Sequence, residues 1–144
     1  MKVAFLGATK GIGRALARAM AERGHELFLL GRNAEDLRRS ALDLELRANR
    51  GIKVQYAVCD LEKLPTIAPA LEAADKALNG YNAIVVTAGL YGTQAELESD
   101  PALAQRVLSV NFANTVYFCE LARARMQERG PGTLCVFSSV AGER

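Results

Sequence analysis

The feature that most limits what this chain can become is the loop Gly7-Ala8-Thr9-Lys10-Gly11-Ile12-Gly13, set between an apolar run and an amphipathic helical pattern. In a strand–loop–helix unit of this kind Gly7 permits the tight turn, Gly11 lets the backbone approach a pyrophosphate, and Gly13 lets helix and strand pack closely. The free N–H groups of the helix start, with Thr9 and Ile12 beside them, then face phosphate oxygens. Glycines also mark ordinary turns, so the triplet draws its meaning from its place between strand and helix. No Gly-Lys-Ser or Gly-Lys-Thr follows, which excludes a P-loop.

The same alternation runs along the whole chain. Candidate strands cover residues 3–6, 26–30, 53–58, 83–87 and 133–138. Most are continuous apolar runs, as expected of parallel strands covered on both faces. The first helical pattern puts Ile12, Leu16, Ala19 and Met20 on one face and Arg14, Arg18 and Glu22 away from it, ending near Gly24. The second begins after Asn33, an N-cap with Asp36 three residues on, and stacks Leu37, Ala41, Leu44 and Ala48 before Gly51. A third spans residues 62–79, with Pro65 near its start and Gly80 beyond its end; Pro69 either kinks it or displaces its start. The fourth spans residues 101–129, between Asp100 as cap and Gly130-Pro131-Gly132 as stop.

Strict βαβ alternation implies right-handed crossovers and a Rossmann-type, doubly wound parallel sheet of the α/β class. Five strands then take the order 3-2-1-4-5, with ligands beyond the strand carboxyl ends at the switch between strands 1 and 4. No repeat, low-complexity tract or linker interrupts the 144 residues, which read as one domain, 1–144.

Composition narrows the partners. A net charge of +2, with Lys and Arg spread along the helices, speaks against nucleic acid and a membrane surface. Cys59, Cys119 and Cys135 are an odd count without CxxC spacing, so neither a disulfide framework nor a metal site is expected. They read as small buried residues in a reducing compartment. Residues 3–6 are too short for a signal peptide or a span, and a cytoplasmic protein is the expectation.

The strand ends carry the chemistry. An NAD site uses an acidic residue after strand 2 to bind the ribose 2′-hydroxyl. Here Leu30-Gly31-Arg32-Asn33 offers a glycine and a cation, with no carboxylate to repel a 2′-phosphate and Arg32 able to grip one. Lys10 is a second candidate ligand. Charge-assisted hydrogen bonds of about 1.5–3 kcal/mol each would favour NADP over NAD by about a hundredfold or more. The plainer alternative is two solvated cations. After strand 3, Asp60 can accept from an adenine amino group while Leu61 covers the ring, or Asp60 can cap the third helix; one Asp can do both. After strand 4, Ala88 and Gly89 let nucleotide and backbone come close.

In combination these pieces make the chain resemble the short-chain dehydrogenase/reductase family over essentially its whole length. The resemblance rests on the loop from Gly7 to Gly13, Asp60, Ala88-Gly89, Val110-Asn111 and Ser138-Ser139-Val140-Ala141-Gly142. Lys10 with Arg32 looks like the family's NADP-preferring subset. Thr87 stands where many members carry Asn, and a threonine can still bond nearby backbone. The resemblance implies that Asn111 holds a water in a proton relay and that Ser139 hydrogen-bonds the carbonyl or hydroxyl of a small-molecule substrate, Ser138 being structural. Asn is otherwise unfavourable in mid-helix, and Ser138-Ser139 otherwise reads as a polar strand end.

The family's acid/base Tyr, with Lys four residues later, should follow Ser139. Tyr56, Tyr81, Tyr91 and Tyr117 all lie upstream, and none has Lys at i+4. The chain therefore reads as the amino-terminal, NADPH-binding part of an oxidoreductase, inactive by itself. A homo-oligomer is expected through helix 101–129, with Val107, Phe118 and Leu121 seeking a neighbour, and through an open edge at Leu134, Cys135, Val136 and Phe137. Two other readings are a non-catalytic NADP-binding or interaction module and an S-adenosylmethionine-dependent methyltransferase. The latter needs an acid at the end of strand 2, where Gly31-Arg32 is the wrong chemistry.

Overall fold

In a computed structural model, which describes residues 1–48 and 52–139, five parallel strands form one sheet in the order β3-β2-β1-β4-β5. The strands are β1 (Lys2–Leu6), β2 (Glu26–Gly31), β3 (Gln55–Val58), β4 (Ala83–Val86) and β5 (Thr133–Val136). Helices α1 (Gly11–Glu22), α2 (Ala34–Arg47) and α3 (Ile67–Leu78) connect the first four, and α4 (Gln94–Ser99), α5 (Pro101–Leu108) and α6 (Thr115–Gln127) lie between β4 and β5. Gly51 and Val140-Ala141-Gly142 lie outside the described residues.

Alternation along each strand divides the core into two layers. Ala4, Leu6, Phe28, Leu30, Ile84 and Val86 face α3 and α6, while Val3, Phe5, Leu27, Leu29, Ala83 and Val85 face α1 and α2. Both faces of the central strands are buried, which is why their sequences are continuous apolar runs. The edges differ: Leu134, Val136 and the following Phe137 remain more than 40% exposed. Cys135 is exposed there too, unlike Cys59 and Cys119, because nothing among the described residues lies beyond β5.

The structure departs from the sequence periodicity in several places, each with a local cause. Helix α1 turns Gly13, Ala17, Met20 and Ala21 inward rather than Ile12, Leu16 and Ala19 with Met20, and Ile12 is 70% exposed. Close packing at Gly13 sets that rotation. Helix α3 starts at Ile67 after a 3₁₀ turn over Leu64–Thr66, so Pro69 falls in its first turn and causes no kink. The predicted helix 101–129 is α5 and α6 joined by a π-helical segment, Ser109–Asn114. Helix α4 carries a capping box, Thr93 with Glu96, whose Thr-x-x-Glu signature was legible in the sequence. Phe118 is core, and the outward stripe is Leu108, Phe112 and Val116.

Helices α1 and α2 are tied by Arg18, whose Nε donates to Asp43 Oδ2 at 2.7 Å, with Arg47 at 3.1 Å on the other oxygen. Hydrogen bonding to Arg18, and then to Arg47, holds the Asp43 carboxyl below its ordinary range. A depressed native pKa stabilises above the unfolded value and is lost as pH falls through the native one. Asp43→Asn should therefore cost up to about 1 kcal/mol at neutral pH, since the pair is partly solvated, and the difference should vanish in acid. Urea unfolding of both proteins at the two pH values measures it.

Candidate functional site

The site is built at the carboxyl ends of β1 and β4. Gly7 turns the chain at φ +100°, where a Cβ would stand 2.5 Å from the Ala88 nitrogen and 2.7 Å from Thr87 Oγ1. A Cβ on Gly13 would run into the Gly7 carbonyl and Thr87 Oγ1. Thr87 Oγ1 donates to that same Gly7 carbonyl at 3.0 Å, so the threonine pins loop to strand where Asn was the expected type. Gly11 has φ +53° with nothing within 4 Å of its absent Cβ. One glycine thus permits a turn, one a close contact, and one an open, left-handed backbone. No side chain caps α1 at Lys10, which leaves its first amides to a ligand.

These ends enclose a cleft of about 230 Å³. Gly7, Thr9 and Lys10 form one wall, Gly31, Arg32 and Asn33 a second, Asp60 and Leu61 a third, and Ala88 and Gly89 the floor towards Leu90. Gly11, Ile12 and Gly13 flank it as the first turn of α1. Arg32 has no hydrogen bond or ion pair among the described residues. Lys10 Nζ lies 3.5 Å from Asp36 Oδ2, with the lysine side chain 81% exposed.

A carboxylate therefore does reach this wall, contrary to the expectation from Gly31-Arg32 alone. The Asn33 cap that starts α2 accepts from the Asp36 amide at 2.9 Å and brings Asp36 round to the cleft. Glu62 also lines it, but Arg106 binds both its oxygens, at 2.7 and 3.2 Å, and holds its carboxyl below the usual range. Asp60 Oδ1 accepts from the Glu62 amide at 3.0 Å. It closes a turn rather than capping α3, which begins seven residues later at Ile67. Asp60 itself lines the cleft. Cys59 is buried beside it, and burial pushes its thiol up to about 12, so it is packing material rather than a nucleophile.

Asn111 lies in the π segment, outside the cleft lining. Its Oδ1 accepts from the Leu90 amide and its Nδ2 donates to the Leu90 carbonyl, both at 2.7 Å. Ser139 is exposed beyond β5 and does not line the cleft. The sequence reading missed the π segment and with it Asn114, whose Nδ2 donates to the Leu61 carbonyl at 2.6 Å. Two asparagines three apart in mid-helix were the available signal, since each disfavours a helix unless its side chain is used elsewhere. Among the described residues no helix is long and apolar enough to cross a membrane.

Known proteins place this arrangement. The sequence model of the family described as short chain dehydrogenase matches residues 2–144. The chain is 30% identical over 140 residues to a 2-(S)-hydroxypropyl-CoM dehydrogenase of Xanthobacter autotrophicus, covering 97% of itself and 54% of that protein. It is likewise 30% identical over 139 residues to a 3-oxoacyl-[acyl-carrier-protein] reductase of Bos taurus, covering 96% of itself and 56% of the relative. Among solved structures, an actinorhodin polyketide ketoreductase variant with NADPH superposes with a TM-score of 0.88 at 27% identity, over 99% of this chain and 55% of the other. The chain thus spans about half the length of the relatives it matches.

Proposed function

Because the chain belongs to the short-chain dehydrogenase family, we propose that it is the cofactor-holding part of an oxidoreductase that uses NADP(H) on a carbonyl or alcohol substrate. The observation that carries this reading is the meeting of Arg32 and Lys10 in one cleft, with Gly31 where a ribose-binding carboxylate would stand. The residues present fit such a group. The open backbone at Gly11 and the uncapped turn after it suit a pyrophosphate, Arg32 and Lys10 suit a 2′-phosphate, and Asp60 with Leu61 suits an adenine.

When bound, the nicotinamide supplies hydride chemistry between its ring and the substrate carbon. In this reading Ser139 orients the substrate oxygen. Asn111 has one N–H and one lone pair left after Leu90 takes the others, and these hold a relay water. No Tyr-x-x-x-Lys occurs in residues 1–144, so the group that would move the proton at the substrate oxygen is not among them.

Titration with NADPH and NADH tests the reading. NADPH should bind more tightly by about a hundredfold; equal affinities sink it. A second expected outcome concerns turnover. A polypeptide of residues 1–144 should show no measurable ketone reduction above background. Lack of the proton donor alone costs about 10²–10⁴ in rate. NADPH oxidation in the presence of simple ketones is the assay, and steady turnover would contradict the assignment of roles.

We also read the chain as self-associating through the stripe Leu108, Phe112 and Val116 and the open β5 edge. Sedimentation at micromolar concentration checks this, and a clean monomer refutes it. Free thiols at Cys59, Cys119 and Cys135 support a cytoplasmic setting.

A further inference from the structure

Two of the loops that line the cleft, those after β3 and β4, are held from a single stretch of helix. Asn111 grips the loop after β4 through both backbone groups of Leu90. Three residues after it and five residues before it, the loop after β3 is gripped twice more: Asn114 binds the Leu61 carbonyl at 2.6 Å, and Arg106 binds the Glu62 carboxylate through two nitrogens. Leu61 is 5% exposed, and the Asn114 amide is the hydrogen-bond partner of its carbonyl among the described residues. A buried carbonyl left without a partner is costly, so the loop has one preferred seat. Between the two ties the Asp60 side chain closes the turn onto the Glu62 amide. The segment is also braced within itself, the Asp60 amide donating to Thr66 Oγ1 at 2.9 Å and the Lys63 amide to the Asp60 carbonyl at 2.8 Å, and the helix fixes where this turn sits.

We propose that Asn114 and Arg106 are positioning residues of the cleft: by seating Leu61 and Glu62 they set the affinity for the adenosine half of a dinucleotide. This rests on the reading of the cleft as a dinucleotide site. Neither residue need touch the ligand. The cost of an asparagine inside a helix is offset by the tie it makes. The Arg106–Glu62 pair is solvated enough to add little to global stability by itself, so its effect belongs to the loop.

The test uses the whole chain with ADP and NADPH as probes. Asn114→Asp keeps the shape but replaces the donor with an acceptor facing the Leu61 carbonyl. It should weaken both probes about fivefold, the worth of one hydrogen bond. Arg106→Met, on the surface, should weaken them about twofold. The double variant should lose less than the product, because both ties hold one loop. Amide hydrogen exchange supplies a readout that a general loss of structure would not give: Glu62 and Lys63 should exchange faster, and Leu90, tied by Asn111, should not. Wild-type affinity in the folded variants, or equal acceleration at Leu90, overturns the proposal. Should Asn114→Asp fail to fold, Arg106→Met decides alone, and unchanged ADP affinity there overturns it. Failure of the unmutated chain to bind ADP or NADPH at all would instead overturn the reading of the cleft, and this inference with it.

Discussion

Arg32→Asp should abolish the cofactor preference of the cleft, weakening NADPH by about a hundredfold while leaving NADH near its original affinity. The guanidinium makes no hydrogen bond or ion pair among the described residues and acts on the fold through its charge near Glu62, so little in the fold depends on it. Its removal takes away a charge-assisted bond to a 2′-phosphate. The new carboxylate adds repulsion against that phosphate, so the advantage of NADPH over NADH is lost. Lys10 cannot compensate fully, because Asp36 already shares it at 3.5 Å. Calorimetric titration of both cofactors decides the matter. A parallel loss for NADPH and NADH would mean that Arg32 supports the cleft generally rather than reading the 2′ position.

A second large effect separates two glycines of one loop. Gly13→Ala should destabilise the chain by about 3 kcal/mol, lowering the melting temperature by about 10 °C. Its methyl would meet the Gly7 carbonyl and Thr87 Oγ1, both fixed by the bond between them, so neither can yield without parting α1 from β4. Gly11→Ala meets nothing within 4 Å. Its cost is the left-handed backbone alone, about 1–2 kcal/mol. The folded protein should survive, yet bind NADPH about tenfold more weakly, since the methyl occupies the open approach to the backbone. Thermal melts and titrations of the two variants give the contrast. If Gly13→Ala melted like the parent, close helix–strand packing at that residue would be refuted.

What could be read from the sequence was whatever a single segment determines. The central runs 3–6 and 83–86 are apolar throughout because both of their faces are covered, and with the βαβ alternation that pattern implies the parallel sheet and its order. Asn33 as a cap and Gly24 as a stop are likewise local, and each sits as expected. The misreadings concern residues whose position is decided by a distant partner. Ile12 points outward because Gly13 must face Thr87, a contact no helical period contains. Asp36 reaches the cleft because α2 begins where it does, and its neighbour in space is Lys10 from another loop. Cys135 has the same kind of sequence surroundings as Cys59, yet one lies on an edge strand and the other under α3, a difference of topology rather than composition. The candidate site divides the same way. Gly7, Thr9, Lys10, Arg32, Asp60, Leu61, Ala88 and Gly89 meet in one cleft, whereas Asn111 and Ser139 stand outside its lining.

The position of β1 has a consequence for how such a chain reaches its native state. This strand lies at the centre of the sheet, but its two neighbours come from very different distances: β2 follows after one helix, whereas Val3 pairs with Ala83 only after three helices and two further strands. The loop at Gly7 therefore stays half-walled until residues 83–89 arrive and Thr87 closes on it. Contacts of this separation form slowly, because the closure entropy of the intervening chain must be met before they contribute. The cleft is accordingly incomplete until β4 has joined β1. A chain interrupted before residue 83 has the glycine loop in full but only part of the cleft around it.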